Sequence, residues 1–222
     1  MTTIRKRVAI LISGRGSNMT ALIEAARDPA YPAEIALVLS NRADAVGLER
    51  ARRAGIRTTV VDHRAYPNRA AFDAAVNARL GVEGIDIVCL AGFMRILTAD
   101  FVSAWHDRMI NIHPSLLPLF PGLHTHERAI EAGMRLTGCT VHFVRAEMDS
   151  GPIIGQAAVP IAFDDTPDTL ARRVLAAEHQ LYPLALALVA GELVHVRDER
   201  LVVHSALPLD MSDMLVAPAI EG

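Results

Sequence analysis

Apolar runs alternate with helix-like patterns through the first half of the chain. Residues 8–12 and 85–90 are largely apolar, as in strands that are buried on both faces of a sheet. Between them, apolar residues recur every four positions from Phe72 to Leu80, as on one face of a helix. In chain order the pattern predicts strands at 8–12, 35–39, 58–61, 85–90 and 109–112, and helices at 19–26, 45–54, 69–80 and 99–104.

This alternation predicts a parallel sheet with helices on both faces. The second half adds two single strands and then a hairpin, at 138–144, 153–161, 193–196 and 201–204. The predicted fold class is therefore α/β, with a mostly parallel, Rossmann-like sheet and antiparallel strands added in the C-terminal half. We expect a single domain over residues 1–204 and a loose tail over 205–222, where the periodicity disappears.

Glycine and proline residues indicate where helices begin, end or bend. Gly81 follows a periodic segment and is expected to end the third helix. Thr166 and Pro167 suit the N-cap and first turn of a long last helix, in which Pro183 is expected to cause a kink or a break. The buried stripe of that helix is predicted at Leu170, Val174, Ala177, Leu181, Leu184 and Leu188. Glu178 lies beside the stripe, where a carboxylate is ordinarily solvated.

A glycine-rich loop follows the first strand at once. Residues 13–18, Ser-Gly-Arg-Gly-Ser-Asn, connect that strand to a helix, an arrangement that points backbone N–H groups at an anion. The dinucleotide fingerprint is incomplete, because Met19 occupies the third glycine position and residues 40–42 include no acid. A single phosphate monoester therefore fits better than NAD. A tight turn without a ligand is the alternative.

Asn111 and His113 stand at the end of the fifth strand. They alternate with two isoleucines, so the amide and the imidazole share one face, and Pro114 ends the ladder because it has no N–H to donate. Ligands of parallel sheets bind beyond the carboxyl ends of the strands, which places this pair on one edge with the loops at 14–18 and 92–97. Such a pair suits acyl chemistry. A strand that simply ends in polar residues is the alternative.

Composition narrows the range of partners. The net charge is −3 and the basic residues form no long block, so a nucleic-acid partner is not expected. The longest apolar run, residues 184–190, is too short to span a bilayer, and Cys89 and Cys139 lie in apolar segments, as reduced thiols do. We expect a cytoplasmic protein without a membrane partner. His124 and His126 lack the spacing of metal ligands, so no metal is expected. The helix stripes fit either a homodimer or the core of a monomer.

Five motifs occur together, at residues 13–18, 90–97, 111–118, 121–126 and 149–152. With this set the chain closely resembles the phosphoribosylglycinamide formyltransferase family, over roughly residues 8–200. The Asn-x-His and Asp-x-Gly motifs are shared with other formyltetrahydrofolate enzymes, whereas the glycine-rich loop and Pro-Gly-Leu-His-Thr-His narrow the resemblance. It implies formyl transfer from 10-formyltetrahydrofolate, a co-substrate, to the amine of glycinamide ribonucleotide in purine biosynthesis, without a metal.

The resemblance also implies roles for individual residues. The catalytic residues would be Asn111, His113 and Asp149. The nucleotide would be held by Gly16, Ser17, Asn18 and Glu178, the first three at its phosphate. The folate would be held by Arg69, Met94, Arg95, Ile96, Leu97 and Asn111. Residues 1–112 would form a nucleotide-binding half, and residues 113–204 a folate-binding and catalytic half.

Formyl transfer requires a donor to a tetrahedral oxyanion and several proton transfers. The amide of Asn111 can donate without changing its protonation, and histidine can move protons near neutral pH. Asp149, if adjacent, would favour the charged form of His113 and order water for the proton transfer. Direct transfer is predicted, because no serine or cysteine has a matching partner. Two alternatives remain: formyltetrahydrofolate deformylase, a hydrolase with the same trio, and a nucleotide-binding protein without catalysis.

Overall fold

The computed structural model describes residues 5–204 as one large sheet covered by helices, with a small hairpin beside it. The strands are β1 (Lys6–Ile12), β2 (Ala33–Ser40), β3 (Thr58–Val60), β4 (Ile87–Leu90), β5 (Met109–His113), β6 (Leu136–Phe143), β7 (Ile153–Pro160), β8 (Val194–Arg197) and β9 (Arg200–Val203). The helices are α1 (Ser17–Ala25), α2 (Val46–Arg53), α3 (Arg69–Val82), α4 (Ala99–Ala104), α5 (Thr125–Glu131) and α6 (Pro167–Ala190), with a 3₁₀ turn at His63–Ala65.

The large sheet has seven strands in the order β3-β2-β1-β4-β5-β6-β7. The strands from β3 to β5 pair in parallel, whereas β6 is antiparallel to both β5 and β7. One face packs against α1, α2 and α6, and the other against α3 and α4. The predicted fold class, a mostly parallel Rossmann-like sheet with added antiparallel strands, is confirmed.

The strand order reverses beside β1, because β2 lies on one side of it and β4 on the other. At such a switch point the loops after the two central strands diverge and leave a crevice at the carboxyl edge of the sheet. The loops that follow β1 and β4 are the glycine-rich loop and the loop that begins at Ala91. The end of β5 lies next along the same edge. The fold therefore brings together the three segments that the sequence placed on one edge.

One prediction about a helix end is wrong. α3 continues through Gly81 to Val82, and the residue with a positive φ of 60° is Gly84, three positions later. Gly81 itself has open space around it, so nothing in its surroundings forces the helix to end there. α6 continues through Pro183, so of the kink or break expected at this residue the break does not occur, and the kink stays a prediction.

Packing on both sides of Pro183 explains why α6 persists. The neighbouring Tyr182 is fully buried, and its hydroxyl donates to the carbonyls of Leu90 and Ile110, at 3.0 and 3.2 Å. Such burial offsets the lost helical hydrogen bond at the proline. The predicted stripe of α6 is wrong at Leu184, which is 58% exposed, because the buried side passes instead through Tyr182, Ala185 and Leu186.

The predicted tail, residues 205–222, lies outside the described residues. The single domain predicted over residues 1–204, and its division after residue 112 into two functional halves, stay predictions. Both halves contribute strands to the one large sheet.

Candidate active site

The loop after β1 forms the first part of the candidate site. We call Gly14–Asn18 the cradle. Gly16 adopts φ 68° and ψ 37° at the N-cap of α1, where no side chain caps the helix and no acidic residue lies in the first turn. A residue with a side chain is strained in this conformation. The uncapped N–H groups at the start of α1 therefore suit an anion.

Asn18 and Glu178 join the cradle to α6. Both side chains are buried, and Asn18 Nδ2 donates to Glu178 Oε2 at 2.7 Å. Burial raises the pKa of Glu178, while the hydrogen bond from Asn18 acts in the opposite direction. The expectation that Glu178 is solvated is therefore wrong, because α6 packs directly against α1. Asn18 Oδ1 is buried and has no hydrogen-bond partner among the described residues.

The loop after β4, residues 91–98, forms the opposite wall; we call it the β4 loop. Its exposed side chains are apolar, with Met94 68% and Ile96 62% exposed. Within residues 5–204, the backbone groups of Arg95, Ile96 and Leu97 make no hydrogen bond. Free backbone groups beside apolar side chains suit a flat ring that is polar at its edges and apolar on its faces.

A cleft of about 480 Å³ runs between the cradle and the β4 loop. Its lining also includes Asn41, Arg42 and His63, near the ends of β2 and β3. Arg69, the first residue of α3, is exposed and is not among the lining residues, and neither is Asp149. The structure thus brings the cradle and Met94 and Arg95 to one cleft, but leaves Arg69 outside it.

Asn111, His113 and Asp149 form a second cluster. His113 Nδ1 lies 3.5 Å from Asp149 Oδ2, which is an ion-pair distance. The same carboxylate oxygen accepts the N–H of Gly122 at 2.8 Å, and His113 Nε2 lies 3.0 Å from the carbonyl of Phe120. Both ring nitrogens of His113 therefore face oxygen acceptors, and the ring is held in one orientation.

Asp149 reaches His113 because its loop closes tightly over the end of β6. It has a positive φ of 54°. Two positions later, a Cβ on Gly151 would lie only 1.8 Å from the carbonyl oxygen of Phe143, so only glycine fits there. The N–H of Phe143 donates to Pro152 O at 2.9 Å and fixes the far end of the loop. The Asp-x-Gly motif thus combines an acidic side chain with the glycine that positions it.

The comparisons with known proteins agree with this geometry. The family model described as formyl transferase matches residues 6–186. The chain belongs to the formyl transferase family. It is 46% identical over 183 residues to the phosphoribosylglycinamide formyltransferase of Escherichia coli (strain K12), and the match covers 82% of this chain and 86% of that protein. The resemblance seen in the five motifs is confirmed.

Longer proteins and solved structures also match. The chain is 53% identical over 192 residues to the human trifunctional purine biosynthetic protein adenosine-3; the match covers 86% of this chain but only 19% of that protein. The crystal structure of glycinamide ribonucleotide transformylase 1 from Symbiobacterium toebii aligns with a TM-score of 0.87 at 49% identity, covering 90% of this chain and 94% of the other. The crystal structure of phosphoribosylglycinamide formyltransferase from Brucella melitensis aligns with a TM-score of 0.81 at 56% sequence identity, covering 84% of this chain and 96% of the other.

Gly47 is a site residue that sequence reasoning missed in this formyl transferase family member. Its N–H donates to the carbonyl of Gly14 at 3.0 Å, so α2 braces the cradle. A Cβ on Gly47 would lie 2.6 Å from Cδ1 of Ile12, and a Cβ on Gly16 would lie 3.1 Å from Cα of Gly47. In the dinucleotide fingerprint a third glycine in the loop allows close packing of helix and strand. Here Gly47 of α2 allows the close packing instead. In the sequence, a glycine near the start of the second helix was the only local indication of this role.

His142, which lies in an apolar segment of the sequence, is the second missed residue. It pairs with Asn111 across β5 and β6, and its Nε2 lies 3.3 Å from Asn111 Nδ2 and 3.8 Å from Asp149 Oδ1. Burial lowers the pKa of His142, against the smaller opposing effects of the Phe143 carbonyl and Asp149. A neutral ring with Nδ1–H on the carbonyl of Phe143, 2.9 Å away, leaves Nε2 to accept from Asn111.

The two histidines that were considered as metal ligands lie at the start of α5. His124 is exposed at the N-cap, and His126 has a buried Nδ1 without a partner among the described residues. Burial lowers the pKa of His126.

Across residues 5–204, no group of three or more His, Cys, Asp or Glu side chains is arranged to hold a metal ion. No helix in the same part of the chain is long and apolar enough to cross a membrane.

Proposed function

We propose that this chain transfers a formyl group from 10-formyltetrahydrofolate to the amine of glycinamide ribonucleotide. The observation that carries the proposal is the cluster of Asn111, His113 and Asp149, whose imidazole and carboxylate lie 3.5 Å apart, on the same sheet edge as an anion cradle. The Escherichia coli relative, of which 86% is covered by the match, supports the proposal, since it is a phosphoribosylglycinamide formyltransferase.

The two substrates are assigned to different walls of the site. The cradle residues Gly16, Ser17 and Asn18 would hold the phosphate, and Glu178, bonded to Asn18, would contact the ribonucleotide. The assignment of the phosphate is supported by the uncapped N–H groups at the start of α1. The folate would lie along Met94–Leu97, where the free backbone groups of residues 95–97 suit the edge of a pterin. Arg69, outside the cleft, is assigned to the distal acidic part of the folate.

In the proposed reaction the amine nitrogen attacks the formyl carbon and the bond from that carbon to N10 breaks. Asn111 would donate an amide N–H to the oxygen that becomes negative. His142 orients the Asn111 amide for this role, because the unprotonated Nε2 of the ring can accept a hydrogen bond only from the amide nitrogen. His113 would carry the proton that leaves the amine to the departing nitrogen, directly or through water ordered by Asp149. The transfer is direct, without an acyl-enzyme.

One assay separates this proposal from its alternatives. Release of tetrahydrofolate from 10-formyltetrahydrofolate is measured with and without glycinamide ribonucleotide. Release that requires the nucleotide supports the transferase. Release without the nucleotide supports a deformylase, and binding without release supports a nucleotide-binding protein; either result contradicts the proposal.

The cellular setting follows from composition rather than from the site. We place the protein in the cytoplasm, acting on small molecules without a nucleic-acid or membrane partner.

The homodimer stays a prediction. Sedimentation equilibrium at several protein concentrations tests it, because a dimer has twice the 24.0 kDa mass of the chain.

A further inference from the structure

Ser13 joins the cradle to the β4 loop through two hydrogen bonds. It is the residue between β1 and the cradle, and its side chain is buried. Its N–H donates to the carbonyl of Gly92 at 3.1 Å, and its Oγ accepts the N–H of Met94 at 2.8 Å. The two walls of the cleft are therefore joined directly across the switch point between β1 and β4.

Asn41 holds the Ser13 hydroxyl in the orientation that this requires. Ser13 Oγ donates to Asn41 Oδ1 at 2.6 Å, so its lone pairs remain free to accept from Met94. Asn41 is buried at the end of β2, and its Nδ2 lies 3.2 Å from His63 Nδ1. The hydrogen bonds thus run in one direction, from the Met94 amide through Ser13 to Asn41, and link the ends of three neighbouring strands.

The far end of the β4 loop has a separate attachment. Asp73, buried on α3, accepts the N–H of Thr98 at 2.7 Å through Oδ2. Between the amides of Met94 and Thr98, the backbone of residues 95–97 makes no hydrogen bond within the described part of the chain. The last hydrogen bond before this free stretch is therefore the one that the Met94 amide donates to the Ser13 hydroxyl.

We infer that Ser13 is a positioning residue that keeps the β4 loop in register with the cradle, and that Asn41 acts through it. No contact with either substrate is assigned to Ser13 or Asn41. The role of this link rests on the proposed function: nucleotide and formyl donor bind to different walls, and a misplacement of their reacting atoms by about 1 Å can slow transfer by about 10²-fold. Ser13 sets the spacing between those walls.

The first experiment needs no substrate. Amide hydrogen exchange is measured by NMR on the full chain for Ser13→Ala and for the control Ser40→Ala. Ser40 is also buried, but its hydroxyl accepts the N–H of Arg42 rather than one in the β4 loop. Exchange of the Met94 amide should rise about tenfold in Ser13→Ala, the scale of one lost hydrogen bond, and stay unchanged in Ser40→Ala. The Thr98 amide should remain protected in both. Equal Met94 protection in Ser13→Ala and the wild type would overturn the inference.

The second experiment measures the dissociation constant of a folate donor analogue that cannot transfer its formyl group, by calorimetry. Ser13→Ala should weaken donor binding about tenfold, since one hydrogen bond is lost, while the affinity for inorganic phosphate stays within a factor of two. Ser13→Thr, which keeps the hydroxyl, should restore donor binding.

A double mutant tests the order of the link. If Asn41 acts only through Ser13, then Ser13→Ala with Asn41→Ala should bind the donor no more weakly than Ser13→Ala alone. Additive losses, or an equal loss in Ser40→Ala, would contradict the inference. A wild-type chain that binds no donor would refute the proposed function. In that case the exchange measurement still decides whether Ser13 positions the loop.

Discussion

The cradle and the Asn111–His113–Asp149 cluster lie on the same edge of the sheet but are built in opposite ways. The cradle consists of consecutive residues and offers backbone N–H groups held by the positive φ of Gly16. The cluster consists of side chains from β5 and from the loop after β6, brought to 3.5 Å by tertiary packing. One region depends on backbone conformation and the other on the identity of its side chains.

This difference predicts separable effects on catalysis and binding. Loss of a side chain from the cluster should lower turnover and leave nucleotide binding intact. A distorted cradle should weaken nucleotide binding and leave the cluster in place. Substitutions in each region test whether catalysis and binding separate in this way, and the largest effects are expected in the cluster.

Removal of the Asn111 amide or the His113 imidazole should have the largest effect. Asn111→Ala and His113→Ala are each expected to lower kcat by about 10² to 10³-fold, because an oxyanion donor or a proton carrier is lost. Steady-state kinetics gives kcat, and calorimetry gives the nucleotide dissociation constant, which should change less than twofold. Turnover near the wild-type rate in either variant would remove that residue from the mechanism.

The charge of Asp149 should matter next. Asp149→Asn can still accept the Gly122 N–H but places no negative charge beside His113 and His142. We expect kcat to fall by about 10²-fold, within the range of general acid–base effects, and the pH profile of kcat to change shape. Ser150→Ala, which alters a neighbouring hydroxyl bonded to the Glu147 carbonyl, is the control. An unchanged pH profile in Asp149→Asn would leave Asp149 a structural role only.

The comparison also explains which parts of the site could be predicted from sequence. A contiguous loop carries its own signal, so the cradle and the strand ending at His113 could be predicted from pattern alone. Asp149 could be named only through resemblance, because its approach to His113 depends on the fit of Gly151 against Phe143. His142 was missed for a similar reason: its cross-strand partner depends on the register of β5 and β6.

The same distinction explains the error at Glu178. Helical periodicity correctly predicted α6 but placed this residue at the rim of the stripe, because periodicity describes one helix at a time. Burial of Glu178 results from the packing of α6 against α1, which closes over the carboxylate and joins it to Asn18. Gly47 is comparable, since its role depends on contacts with both Ile12 and the cradle.

Two glycines of the cradle offer a matched test of backbone control. Gly16→Ala places a Cβ 3.0 Å from Met19 Cε at a φ of +68°, whereas nothing lies within 4 Å of a Cβ on Gly14. A left-handed conformation costs a non-glycine residue about 1–2 kcal/mol, so we expect Gly16→Ala to raise the nucleotide KM about tenfold with little change in kcat. Gly14→Ala should change the nucleotide KM less than twofold. Equal effects of the two substitutions would argue against the cradle.

Glu178→Gln should give the smallest effect, and it tests whether the two regions also differ in their response to pH. Burial raises the pKa of Glu178 above its ordinary value of 4.5, so above that pH the folded protein retains a proton that the unfolded chain releases. Wild-type stability is therefore lost as pH rises from the ordinary to the raised pKa. Gln does not titrate and can still accept from Asn18. The free energy of unfolding of Glu178→Gln, taken relative to that of the wild type, should therefore increase as the pH rises from 4 to 7.

Urea denaturation at several pH values measures this gain, and Glu131→Gln, at an exposed position on α5, should show none. The change is expected to be modest, because the Asn18 hydrogen bond lowers the same pKa and opposes the effect of burial. A stability difference that stays constant with pH would show that Glu178 is ionised as readily in the folded protein as in the unfolded chain. The nucleotide site would then hold a fixed negative charge beside the phosphate, and the cradle would have to bind its anion against that charge.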